Sequence, residues 1–390
     1  MKVVISAGGR FHAHRLSQEL TKHNALLKLF TFDYTKKDVI NLPPKYVIVI
    51  TSCKIANDLF VRLRLSRFVN PARFNDVKDN LFDWLVSKHI EKMEPFDLFV
   101  GWAHYAQKSL PAVRKKGAKI ILESGSCHIQ EQENILREVY GRFNLSFFPI
   151  KNSCKQKMLD EYAQADYIMT LSDFAHQSFI QHKIPPKKLL TSPCGIDVAF
   201  FLAPRKKPKE LFQVIFVGLV TIRKGIHTLL EAWKLAKLPT NKARLVIVGS
   251  MQKDFAHIAH TLPLSPSIVF AGPKDRMTLK KLYHESSLFV LPSLEDGFGM
   301  VIGEAMASGL PVVCSTHSAG PELTGNGKYG FLFQPEDTQK LADILDWCFH
   351  HRHEIEEMGH QGQNFIKQFS WDAYGDRIHA IYQNIVANKY

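Results

Sequence analysis

Short, nearly uninterrupted apolar runs alternate along the chain with longer stretches in which apolar residues recur every three or four positions. In the first half the runs at 3–6, 26–32, 46–50, 97–101, 118–122 and 167–171 read as strands. In the second half the same reading falls on 213–217, 244–248, 267–271, 288–291, 311–314 and 331–333. Runs that are apolar throughout suit parallel strands covered by helices on both faces. Helical spacing is clear after Gly225, where Ile226, Leu229, Leu230 and Trp233 follow i, i+3, i+4 and i+7. Similar patterns cover 277–286, 338–350 and 354–368. Two such series in tandem predict an α/β protein of two doubly wound, Rossmann-like parallel-sheet domains. The Pro-broken basic stretch Ala203-Pro-Arg-Lys-Lys-Pro-Lys-Glu210 marks the linker, giving domains at 1–203 and from 204 onward.

A length of 390 residues fits two domains of ordinary size. The chain opens on Met-Lys-Val-Val-Ile-Ser-Ala-Gly-Gly, a strand running into glycine rather than a charged leader with an apolar h-region. No apolar run approaches the ~18 residues that span a bilayer. The expected location is cytoplasmic, at most peripheral at the inner face of a membrane. The six cysteines are scattered without a Cys-x-x-Cys pair, so neither a zinc site nor a redox pair is expected. Net charge is +13 and unevenly placed: residues 1–203 hold 29 Lys and Arg against 19 Asp and Glu, residues 204–390 hold 21 against 18. A basic first half suits a phosphorylated substrate, an anionic membrane or nucleic acid, or equally a solvated basic surface with no specific partner. Nucleic acid is disfavoured, because there is no RNP-like aromatic pair and no zinc-finger spacing. Arg62-Leu-Arg-Leu-Ser-Arg-Phe-Val69, with Arg73 beyond, interleaves basic and apolar residues; it fits either an anionic lipid surface or a solvated helix flank.

The densest chemistry lies in Pro292-Ser-Leu-Glu-Asp-Gly-Phe-Gly-Met-Val-Ile-Gly-Glu-Ala-Met-Ala-Ser-Gly-Leu-Pro-Val-Val313. A strand ends, a glycine-rich loop carries Glu295 and Asp296, and a helix begins. Gly297 and Gly299 let a ligand approach bare backbone, and the N–H groups around Phe298, Met300 and Val301 face an anion at the helix's positive end. Glu304 follows about one turn in. Phosphate-seeking N–H groups beside hydroxyl-seeking carboxylates suit a phosphorylated sugar; a turn whose acids complement the helix dipole is the plainer alternative. Arg223 and Lys224 stand between strand 213–217 and the next helix, well placed for a diphosphate; ordinary surface charges are the plainer alternative.

The 292–313 run resembles the donor-site signature of the retaining nucleotide-sugar glycosyltransferases of family 4, which have the GT-B fold. Their Glu-x7-Glu pair falls here on Asp296 and Glu304, followed by Ala305-Met-Ala-Ser-Gly-Leu-Pro-Val312. The first position carries Asp for the usual Glu, with Glu295 directly before it. Lys224 matches the lysine of the family's turn that opens on Gly-Arg and closes on Lys-Gly, whereas Leu219 replaces its arginine, leaving Arg223 as a substitute. Cys194-Gly-Ile-Asp197 and Phe369-Ser-Trp371 are similar to the segments flanking the second domain. The resemblance implies that about 372–390 cross back onto the first domain, leaving 204–371 as the donor domain. It implies that Glu304 holds a ribose and that Asp296, with Glu295, holds the donor sugar. By the same resemblance Gly249, Gly272 and Pro273 flank the base, and Gly8 and Gly9 approach the phosphates from the other side; all five also fit plain turns.

Gly8-Gly9 lacks the full Gly-x-Gly-x-x-Gly pattern, which disfavours a nicotinamide dehydrogenase. His128, after strand 118–122, resembles the first-domain histidine near the reacting sugar, and an imidazole there could exchange a proton or a hydrogen bond with a hydroxyl; a structural histidine is the plainer alternative. Arg10, His12, Trp102 and His104 are acceptor-side candidates, or ordinary structural and surface residues. No Asp-x-Asp triplet or metal-ligand spacing occurs, so no metal and no cofactor is expected. The expected activity is retaining transfer of a sugar from a nucleotide-sugar to a hydroxyl of a glycan or lipid-linked acceptor. A phosphorylase or epimerase of the same fold, or a non-catalytic nucleotide-sugar-binding scaffold, are the alternatives.

Overall fold

Strands apolar on both faces must be covered on both, and the chain meets this demand twice. The computed structural model describes residues 1–9, 11–34, 42–69, 71–145, 148–202 and 210–389. The basic linker residues 203–209 and Arg10 lie outside the described residues. Among the described residues, strands β1 (Val3–Ser6), β2 (Leu26–Thr31), β3 (Val47–Val49), β4 (Leu98–Trp102), β5 (Lys119–Ser124), β6 (Tyr167–Thr170) and β7 (Leu189–Thr191) form one sheet, in the order β3-β2-β1-β4-β5-β6-β7. A second sheet holds β8 (Phe212–Val217), β9 (Ala243–Val248), β10 (Ile268–Gly272), β11 (Leu288–Leu291), β12 (Val312–Ser315) and β13 (Phe331–Phe333), in the order β10-β9-β8-β11-β12-β13. Every pairing is parallel, in registers such as Val3↔Leu98 and Phe289↔Val312. Central strands β1, β4, β8 and β11 are buried almost throughout, which is why their sequences do not alternate.

Strand β7 was not legible as a strand: Leu-Leu-Thr is too short to show a period and follows a Pro-Pro-Lys-Lys turn. Parallel pairing with β6 through Met169↔Leu190 supplies the order its sequence lacks. The helix expected at 354–368 is an α-helix over Arg352–Phe365 that tightens to a 3-10 turn at Ile366–Phe369.

The last helix, Trp371–Val386, leaves the second sheet and packs on helix Ala13–Lys22 of the first lobe. Ser370 caps it, accepting from Ala373 N–H at 3.2 Å. Trp371, Tyr374, Ile378, Tyr382 and Ile385 form its buried stripe. At about 1.5–3 kcal/mol for each large apolar side chain, that stripe is ample to hold the helix down. The return is guided by a junction of two distant segments. Ile196 bridges to Ser370, its N–H donating to Phe369 O at 2.8 Å, and a Cβ on Gly195 would sit 2.4 Å from the Trp371 ring.

The C-terminal edges of both sheets face each other. Ser172 Oγ donates to Gly297 O at 2.8 Å, the Tyr140 hydroxyl donates to Asp254 Oδ2 at 2.6 Å, and Phe174 stacks on His317 at 4.4 Å between centroids. Gly297 lies directly on the first-lobe backbone: a Cβ there would be 2.2 Å from Gly125 O and 2.8 Å from Ser126 Cα. Neither neighbour is a flexible side chain, so an added methyl must push the lobes apart. We expect Gly297→Ala to destabilise the protein by about 1–3 kcal/mol, the usual cost of overpacking, and to enlarge the radius of gyration in small-angle scattering. Gly141→Ala, a helical position with nothing within 4 Å, should change neither for the worse. An unaltered melt and scattering curve for Gly297→Ala would show that the lobes do not meet there in solution.

Candidate active site

The loop between β11 and helix Met300–Ala307 projects into the seam between the lobes. Gly299 is the helix N-cap at φ +79°, a left-handed conformation that favours glycine, and no side chain caps the helix. Its first turn carries no acid, so its positive end faces the loop without a covalent counter-charge of its own. Phe298 is buried and anchors the loop, Met300 is exposed at the helix start, and Val301 is half-buried.

Two cations reach this loop from the turn after β8. Arg223 Nη1 lies 3.0 Å from Glu295 Oε2, and Lys224 Nζ pairs with Asp296 Oδ2. Gly225 makes the approach possible: at φ +68°, its absent Cβ would stand 1.8 Å from Pro292 O. Burial pushes the Asp296 carboxyl up, but Lys224 and Arg223 outweigh it and hold it below the ordinary range. Burial lowers Lys224, with Asp296 opposing the change. A self-neutralised quartet of two cations and two carboxylates, with Glu295 buried and the other three half-buried, thus occupies the mouth of the helix.

Glu295 has a second set of partners that sequence reasoning missed. It is fully buried, and across the seam Cys127 N–H donates to its Oε1 at 3.1 Å and Gln132 Nε2 to its Oε2 at 2.8 Å. Both oxygens are therefore engaged, and Glu295 joins the lobes rather than facing an open cleft. A doubled acid gave no sequence signal for this, because the donors lie more than 160 residues away. Glu304 accepts from the Tyr283 hydroxyl at 3.2 Å, and burial pushes its carboxyl up to about 7. Arg15, Asp197 and Arg276 form another unforeseen link between the lobes, with Asp197 Oδ2 accepting from Arg15 at 3.0 Å and from Arg276 at 2.7 Å.

The first-lobe candidates are arranged differently from expectation. His128 does not project its ring into the seam. The ring is 2% exposed, stacks on His182 at 4.4 Å and meets Phe179 and Tyr162 at 5.1 Å. Its Nδ1 accepts from Gln130 N–H at 3.3 Å, capping helix Ile129–Arg142. Burial, with His182 beside it, lowers its pKa to about 4. In this structure His128 serves as a helix cap, while its neighbour Cys127 makes the contact with the acid loop. His104 is also tied inward, 3.3 Å from both Asp79 and Cys154. Burial alone would lower it, but Asp79 and Cys154 raise it to about 9.

Trp102 is 3% exposed and lies beneath Phe11 and His12, so it is not itself a wall of the cleft. Phe11, 57% exposed, presents that aromatic surface instead. His12 is buried, 3.3 Å from Glu123. In the turn after β1, Phe11 takes the left-handed conformation at φ +36°. Gly8 is needed for packing, as a Cβ there would sit 2.3 Å from the Tyr105 ring. Gly9 is half-buried and backs onto Phe11. In the second lobe, Gly249 N–H donates to Gly272 O at 3.1 Å, stitching two strand ends beside the exposed Pro273. Leu219 is 47% exposed, and Arg223 supplies the guanidinium of this turn.

Residues 198–365 match the family of glycosyl transferases group 1, and this second-lobe region is a domain of that family. The chain is 24% identical over 286 residues to the putative colanic acid biosynthesis glycosyltransferase WcaL of Salmonella typhimurium, covering 71% of this chain and 67% of that one. It is 24% identical to a D-inositol 3-phosphate glycosyltransferase of Corynebacterium glutamicum, covering 60% of each. The alignments thus span about three fifths to two thirds of these relatives' length. The fold matches that of Anabaena Alr3699/HepE, solved in complex with UDP-glucose, at a TM-score of 0.68 and 19% identity, over 98% of this chain and 100% of that one. The architecture is GT-B.

The Glu304 carboxyl has a direct consequence for stability. Its pKa rises from 4.5 to about 7 on folding, so the folded protein binds more protons than the unfolded chain between those values and loses stability as pH rises through them. The cost is absent below about 4.5 and complete above about 7. Glu304→Gln should flatten the fall in melting temperature over that window. An equal fall in the variant would show that another group is responsible.

Proposed function

We propose that the protein is a retaining glycosyltransferase that takes its sugar from a nucleotide-sugar held mainly by residues 204–371. The observation that carries this reading is the meeting of Arg223 and Lys224 with Asp296 at the uncapped start of helix Met300–Ala307, inside a group 1 glycosyltransferase domain. The donor diphosphate would replace the carboxylates as partner of the two cations and accept from the N–H groups of Gly299, Met300 and Val301. Asp296, released from Lys224, would accept from a sugar hydroxyl, and Glu304 from the ribose hydroxyls. Gly249, Gly272 and Pro273 would border the base. UDP-glucose in the Anabaena relative supports a uridine nucleotide as the first donor to try.

The acceptor hydroxyl, of a glycan or lipid-linked sugar, would enter from the first lobe near Gly8, Gly9 and Phe11. In the transfer, the bond from the sugar's anomeric carbon to the diphosphate breaks and a bond to the acceptor oxygen forms on the same face. The acceptor proton passes to the departing phosphate oxygen, so no side-chain base is required. Arg223, Lys224 and the helix N-terminus stabilise the charge that develops on the leaving diphosphate. Domain closure would exclude water from this step.

A second reading has its own observation. The cations are already neutralised by carboxylates and Leu219 stands exposed in the same turn, an arrangement that also suits a binding-only scaffold. Thermal melts against nucleoside diphosphates and their sugars separate these possibilities. A ligand at 100 times its dissociation constant should add about 2.7 kcal/mol of stability. Selective stabilisation by one nucleotide, lost in Lys224→Ala, and sugar transfer or donor hydrolysis lost in Lys224→Ala and Glu304→Ala are the expected results. Nucleotide binding without turnover across a broad acceptor panel would favour the scaffold. No stabilisation by any nucleotide in folded protein would sink the donor-site assignment.

A further inference from the structure

We propose that the helical hairpin formed by Thr51–Arg62 and Pro71–Lys92 docks the protein on an anionic lipid bilayer. Helices on a parallel sheet normally turn their apolar residues inward, yet here several large apolar residues are exposed. Val61, Leu63, Phe68 and Val69 at the hairpin's turn are 68, 58, 85 and 44% exposed. Val77 and Trp84 continue the apolar surface along the second helix. The hairpin keeps a separate inner face, with Cys53, Phe60 and Phe82 buried and Phe60 stacked on Phe74 at 4.0 Å between centroids. The outer residues are therefore surplus to its own packing. Exposed apolar residues gathered at one turn mark an interaction surface.

Charge identifies the occupant. Residues 51–73 contain Lys54, Arg62, Arg64, Arg67 and Arg73 against the single acid Asp58. The four arginines are exposed and surround the apolar turn. A second copy of this chain docked face to face would bring arginine against arginine. A soluble polyanion would satisfy the cations but leave Phe68 and Leu63 in water. A bilayer with acidic headgroups satisfies both, with side chains of the turn entering the interface and the guanidinium groups lying among phosphates.

The position of the hairpin gives the contact a use. Asp79 reaches His104, two residues past the C-terminal end of β4, at 3.3 Å. The helix then has eight further residues back to Pro71, about 12 Å at 1.5 Å per residue. The apolar turn therefore stands beyond the sheet edge that carries Gly8, Phe11 and the seam with the acid loop. Docking would bring the acceptor side of the seam to the lipid surface and make a lipid-linked acceptor accessible. That last step rests on the proposed transferase reading; the docking itself does not.

The test is co-sedimentation of the full-length chain with phosphatidylcholine vesicles, with and without phosphatidylglycerol, in the absence of nucleotide. Binding should require phosphatidylglycerol and weaken with salt. At about fivefold per arginine, Arg62→Gln, Arg64→Gln and Arg67→Gln together should lower the partition coefficient roughly 100-fold. Leu63→Ser with Phe68→Ser should lower it at least tenfold, with the melting curve and any nucleotide-induced stabilisation unchanged. Failure of the wild type to bind acidic vesicles would overturn the proposal, as would full binding by both variants. A stable dimer in light scattering that Phe68→Ser dissolves would overturn it in favour of a self-interface. Loss of nucleotide stabilisation in the wild type would count against the donor site alone.

Discussion

Placing two cations and two carboxylates in a seam between two domains is the constraint on which the rest of this structure turns. Charges taken out of water are tolerated only when paired and hydrogen-bonded. Arg223–Glu295 and Lys224–Asp296 meet that condition only because β8 and β11 are neighbours in the second sheet. Glycine at 225 lets the cationic turn lie against Pro292, and glycine at 297 lets the acidic loop lie against the first lobe. Remove either close approach and the charges lose the geometry that makes their burial bearable.

The same quartet joins local chemistry to global shape. Glu295 accepts from Arg223 within its own lobe and from Cys127 and Gln132 across the seam. A ligand that competes for Arg223 would necessarily disturb a carboxylate that helps hold the lobes together. Asp197 sits in a comparable position near the junction, between Arg15 and Arg276. If the proposed donor occupies the cationic turn, its binding and any movement of the lobes would be coupled through these shared partners, which is the physical requirement for a ligand-dependent movement.

Much of the fold was legible in the chain. Central strands such as β4 and β11 announced themselves because both faces are buried, leaving no polar alternation. The helix after Gly225 was equally clear, with one apolar stripe against the sheet. Strand β7 was not, because three residues carry no period and its order comes from pairing with β6. Part of the candidate site was legible for a local reason: Glu295, Asp296, Gly297, Gly299 and Glu304 lie within ten residues, and Arg223 and Lys224 are adjacent. For His128, position after a strand predicts the edge of a cleft but not the direction of the ring. Packing against Phe179, Tyr162 and His182 decided that direction.

By itself, then, the sequence determined the class of fold, the tandem of two parallel sheets and the identity of the glycine-rich acidic loop. These depend on periodicity and on residues close in the chain, where the free energy of each choice is local. Only the tertiary structure decided that Glu295 clasps the first lobe, that Trp102 is covered by Phe11, and that the hairpin at 51–92 keeps apolar residues outside. Each of these depends on what stands opposite a side chain, and that partner is brought close only when the whole chain has folded.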